Sequence, residues 1–167
     1  MVRRGILEPI PESDLIYHNG VLLAAGAFGV GKGKQITLPS GASAESLRLI
    51  INLTTCTVLQ KPIRADVKTL PHFGQWANLE LMADEVWLWD SDDVRCCFYV
   101  FQLPKAWRPW FVLHKPVRGS VLGRSEPEVY LSCAVLPMGW LSAVGLCQYF
   151  MRQMLLRPPP AGAGLPP

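Results

Sequence analysis

No apolar stretch in the amino half reaches the length of a membrane span: the longest, Val21 to Val30, is about half of one and carries two glycines. Met1-Val2-Arg3-Arg4 is basic, but no apolar signal core follows it. The expectation is therefore a soluble intracellular chain, nuclear or cytoplasmic, without membrane contact. C-x-x-C spacing is also lacking. The five cysteines (Cys56, Cys96, Cys97, Cys133, Cys147) are odd in number and lie in apolar contexts. Neither a disulfide framework nor a zinc site is indicated, and reduced core residues are expected. Strong charge of either sign is missing as well, and a net charge of +3 tolerates a nucleic-acid surface without arguing for one. With 167 residues, half of them apolar, the chain can bury one substantial core but hardly two.

What is present is most concentrated at residues 86–103. Two aromatic and β-branched runs flank Asp90, Asp92 and Asp93, and each run reads as buried strand. Unpaired carboxylates at the end of an apolar strand are costly unless a cation or donors meet them. The same residues also suit a solvated turn between two hairpin strands, since Ser-Asp-Asp is good turn chemistry.

The remaining chain supplies shorter signals. Residues 1–20 contain Pro9, Pro11, Asn19 and Gly20 without a sustained period, which predicts an irregular lead-in. Residues 47–53 alternate as a strand, with Arg48 on the face opposite Leu47 and Leu49. Ser40 to Ser46 is a small, polar hairpin tip. Pro62 and Pro71 exclude a long helix across 54–80, and His72 beside Phe73 reads as packing. Pro104 to Trp110 reads as a turn or helical cap, and Phe111–His114 with Val129–Leu136 as a strand pair. Ser142 can cap a helix to about Arg157, with Leu146/Cys147, Phe150/Met151 and Met154/Leu155 as its buried stripe. Pro158-Pro159-Pro160 ends it, and the tail to Pro167 has the composition of disorder.

Three of these segments carry a resemblance. Asp93, followed five residues later by Phe98, resembles the first palm motif of reverse transcriptases. Leu136-Pro137-Met138-Gly139-Trp140 resembles the Leu-Pro-Gln-Gly-Trp segment of that family's second palm motif, and Arg48-Leu49-Ile50-Ile51-Asn52-Leu53 its Arg-bearing fingers strand. The three occur in the family's order, and their wording is most similar to divergent retroelement polymerases of dinoflagellates. The resemblance covers roughly residues 20–157 and implies an α+β fold of fingers (21–85) and partial palm (86–157), with antiparallel sheet and packed helices, an incomplete right hand.

Its functional implications are template-directed DNA synthesis on RNA, using two magnesium ions about 4 Å apart, a template-primer and a deoxynucleoside triphosphate. Asp93 would be the catalytic metal ligand, helped by the Val94 carbonyl. Arg48, with Lys32 or Lys34, would meet the triphosphate. Phe98 would sit under the sugar and exclude a 2′-hydroxyl, Gly139 would allow close backbone approach, and Trp140 would pack behind it. Met138 departs from the family, replacing a polar contact by an apolar one. Tyr-x-Asp-Asp, the third palm motif, does not occur, and Asp92-Asp93 is the sole Asp-Asp pair. Half of the metal site is thus missing, and an inactive, truncated fragment is expected.

The residues leave other readings. Arg48 can be an ordinary exposed strand arginine, Phe98 a core aromatic, and Lys32 and Lys34 the solvated cations of a glycine-rich hairpin. Gly26, Gly31 and Lys32 also fit G-x-x-x-x-G-K, but Gly33 stands where a P-loop needs Ser or Thr, and strand-like sequence follows where it needs a helix. A binding module without catalysis, or weakly a P-loop nucleotidase, are the alternatives. The polymerase reading requires Asp93, the Pro-Met-Gly turn and Arg48 to converge on one cleft.

Overall fold

A six-residue strand, Glu128–Cys133 (β7), lies at the centre of the largest sheet because almost all of it is apolar or small enough to bury. The computed structural model describes residues 1–63, 65–75, 77–88, 93–94 and 96–157. Within them β7 pairs antiparallel with Leu7–Ile10 (β1) on one side and Val117–Arg118 (β6) on the other. The predicted irregular lead-in is therefore corrected: Leu7, Ile10 and Leu15 are buried, and β1 is a strand of the central sheet. Pro9 does not prevent this, because β1 is an edge strand, where a missing N–H costs no ladder bond. Tyr17–His18 (β2) and Val21–Leu22 (β3) form a small hairpin after it.

Gly26–Thr37 (β4) and Ser43–Asn52 (β5) pair antiparallel over most of their length. β4 is exposed at all 12 positions, so the hairpin projects from the core as an arm, and only Ile51 near its base is buried. The register shifts between Gly31 and Gln35, where Gly33 takes a φ of 64° and its N–H donates to Glu45 Oε1 at 3.2 Å. A short helix, Thr54–Val58 (α1), starts at the foot of the arm. Asn52 Oδ1 accepts the Thr54 N–H at 3.1 Å, satisfying one of the free donors of its first turn.

Residues 97–100, predicted as strand, form a single 3-10 turn, Cys97–Val100, and the described residues 86–88 and 93–94 are not in strands. Cys96, with φ 57°, bends the chain out of extension just before the turn. Only residues 101–103 add to the sheet, through Leu136 N–H to Phe101 O at 2.8 Å and Leu103 N–H to Ala134 O at 2.9 Å. Val86 and Leu88 are exposed, so this stretch is not the organising element that its composition suggested. Asp90 and Asp92, Arg64, and the proline-rich tail at 158–167 lie outside the described residues.

Lys105–Phe111 forms a longer 3-10 segment, tied down by Arg108, which pairs with Glu8 of β1 and donates through Nε to Leu103 O. The last element, Ala143–Leu156 (α2), begins where Ser142 predicted. Its stripe is buried only in part: Leu146 and Cys147 pack against the core, whereas Met154 and Leu155 are exposed, no described element covering that end. Gly145 allows residues 65–69 to lie close, since a Cβ there would meet Val67 Cγ2 at 2.7 Å. Arg152 then reaches Asp66 at 3.0 Å. The architecture is mixed α and β, with small antiparallel sheets and few helices. No described helix is long and apolar enough to cross a membrane.

One core unites these pieces. Ile51, Leu53 and Cys56 from the predicted fingers and Leu103, Phe111 and Trp140 from the predicted palm belong to the same buried cluster. Ser142, 2 % exposed, does not cap α2 through its side chain; its Oγ accepts the Ile63 N–H at 3.0 Å instead. Ser142→Ala is expected to lower unfolding stability by about 1–3 kcal/mol, the penalty of a donor left unmet, measured by urea denaturation.

Candidate functional site

Where the arm meets the body, a cavity of about 610 Å³ opens. Lys32, Leu47, Arg48 and Leu49 line it from the arm, Cys96, Cys97, Phe98 and Tyr99 from the 3-10 turn, and Met138 from the turn after β7. Arg48 stands opposite Val30 in the register, and Lys32 follows two residues on, so the pairing brings both cations to one wall. The αL conformation of Cys96 turns the chain so that the following residues form the facing wall. Burial, with lesser contributions from Cys96 and Cys133, pushes the Tyr99 phenol up, which keeps it neutral at physiological pH. Cations on one side and aromatic rings on the other suit an anion with a planar or apolar part.

No family model matches the chain, and no curated protein matches it.

Of the sequence-predicted residues, four share this cavity: Lys32, Arg48, Phe98 and Met138. Phe98 is also partly buried against the core, so its packing and cavity-lining roles coincide. Gly139 lies at the next position but lines a neighbouring cavity of about 480 Å³, with Phe28, Ile50, Asn52 and Thr54. Its φ of 99° and the Ile51 carbonyl 3.3 Å from where a Cβ would stand explain why glycine fits that turn. Trp140 fastens the turn from behind, its Nε1–H donating to Gln60 Oε1 at 2.7 Å and its ring lying edge-on to Phe111.

The other predicted residues stand apart. Lys34 is exposed within the bulge of the arm, and Asp93 and Val94 are exposed and outside the described lining of the cavity. The expected convergence of Asp93, the Pro-Met-Gly turn and Arg48 on one cleft is not seen: Arg48 and Met138 line one cavity, Gly139 another, and Asp93 lies outside the described lining of both. Among the described residues no group of three or more His, Cys, Asp or Glu side chains is placed to hold a metal ion. Magnesium is commonly held through one or two carboxylates plus substrate phosphates. Asp93 alone suffices at most for a cation arriving on a triphosphate, and the described residues build no two-ion site.

The phosphate-loop alternative is corrected by the backbone. Gly26, Gly31 and Lys32 lie within β4, paired to β5, so they form no loop over a helix N-terminus. Sequence reasoning missed Cys96, Cys97 and Tyr99 as lining residues, because it read their segment as strand. It also placed all five cysteines in the core, whereas Cys96 is exposed and only Cys56 and Cys133 are fully buried. Burial pushes the Cys133 thiol up to about 12, as expected of an inert core residue.

Proposed function

We propose that the chain is a reverse-transcriptase-like fingers and partial-palm fragment that binds magnesium–deoxynucleoside triphosphate in the cavity between arm and body. Lys32 and Arg48 take the phosphates, and Phe98 lies under the sugar. Met138 gives an apolar contact, and Gly139 leaves the adjoining groove open for a template strand of RNA or DNA. The single observation that supports this reading is the shared cavity: residues from three segments far apart in sequence, Arg48, Phe98 and Met138, line one space.

The reading is tested by calorimetric titration of the purified chain with magnesium and each nucleoside triphosphate. Deoxynucleotides are expected to bind more tightly than ribonucleotides, and Phe98→Ala is expected to reduce that preference by about tenfold, roughly 1.4 kcal/mol of lost steric discrimination. Equal affinity for both sugars in the unsubstituted chain would end the assignment of Phe98. Primer extension is not expected of these residues alone, since Asp92-Asp93 is the sole Asp-Asp pair in the sequence.

A further inference from the structure

The Cys97 and Cys147 sulfurs lie 3.1 Å apart although the residues are 50 positions apart in sequence. One thiol donates to the other across the seam between the 3-10 turn and α2. A disulfide needs about 2.05 Å, so roughly 1 Å of approach separates the contact from a bond. Both side chains are only half-buried, and Cys97 also lines the cavity, which gives a small reagent a route to its sulfur. Cys56 and Cys133 are fully buried, and Cys96 is exposed with no thiol contact among the described hydrogen bonds.

We propose that Cys97 and Cys147 are an oxidation site that closes to a disulfide with a small-molecule disulfide such as oxidised glutathione. The Cys97 thiolate attacks the glutathione S–S bond, forming a mixed disulfide and releasing one glutathione thiolate. The Cys147 sulfur, its proton lost to solvent, then attacks Cys97 Sγ and expels the second glutathione. Two electrons pass to the small disulfide, which is reduced, and the protein pair is oxidised. Burial, then the hydrogen bond that Cys147 makes with Cys97, raise the Cys147 thiol to about 11, so it loses its proton less readily than an ordinary thiol. The bond pins the cavity's facing wall to α2.

The test uses the full chain, incubated with oxidised glutathione at mildly alkaline pH and digested without reduction. Mass spectrometry should find one cross-link, joining the Cys97 and Cys147 peptides. Free thiols should fall from five to three, and the melting temperature should rise by about 5–10 °C, reversed by dithiothreitol. Cys96→Ser should leave the cross-link and the melting shift unchanged, with free thiols falling from four to two, because Cys96 takes no part. Glutathione retained on Cys97 or Cys96 without a cross-link, or a cross-link joining Cys96 to Cys147, overturns the proposal.

Discussion

Arg48→Ala is expected to weaken magnesium–deoxynucleotide binding by about 10–100-fold. A charge-assisted hydrogen bond to phosphate contributes about 1.5–3 kcal/mol, and each 1.4 kcal/mol is a factor of ten. The same substitution should leave unfolding stability within about 0.5 kcal/mol, because Arg48 is exposed on a two-stranded arm. That separation makes the experiment decisive, since a stability loss of several kcal/mol would mean that Arg48 supports the fold and has no ligand role. Arg48→Lys should recover part of the affinity, as it keeps the charge and loses the planar fork. Affinity unchanged in both variants would remove the arm from the site.

The second large effect is structural. Trp140 is 6 % exposed, packs edge-on to Phe111 with ring centroids 5.1 Å apart and to Trp107 at 6.1 Å, and is hydrogen-bonded to Gln60. Trp140→Ala should cost about 3–5 kcal/mol in urea unfolding, the sum of lost burial and the cavity left behind. Trp140→Phe keeps most of the ring and should cost much less, near the ~1 kcal/mol of the missing hydrogen bond. Since Trp140 fastens the turn bearing Met138 and Gly139, the alanine variant should also lose nucleotide affinity. A stability loss of less than about 1 kcal/mol for Trp140→Ala would contradict the packing described above.

Several features were legible in the sequence because their causes are local. Alternation over residues 47–53 gave the second half of β5, the prolines kept 54–80 free of long helix among the described residues, and Ser142 marked the start of α2. The Pro104–Trp110 turn was likewise visible, as a 3-10 segment beginning at Lys105. Each rests on a period or a backbone constraint that acts within a few residues.

Other features depended on what lay alongside. Leu7–Ile10 became a strand because β7 offered it an edge, a circumstance that Pro9 within it and Pro11 just after it could not reveal. Residues 97–100 share the strand-like composition of β7 but form a 3-10 turn after the αL bend at Cys96. The carboxyl half of α2 has an apolar stripe yet stays exposed, since periodicity says which face would be buried and not whether anything covers it.

By itself the sequence determined the strand that ends the arm, the start of the last helix and the motif residues, all properties of short segments. Only the tertiary structure decided that Lys32, Arg48, Phe98 and Met138 line one cavity, that Asp93 lies outside its described lining, and that Cys97 meets Cys147. Those are distances between segments remote along the chain, set by strand pairing and core packing, and no local pattern encodes them.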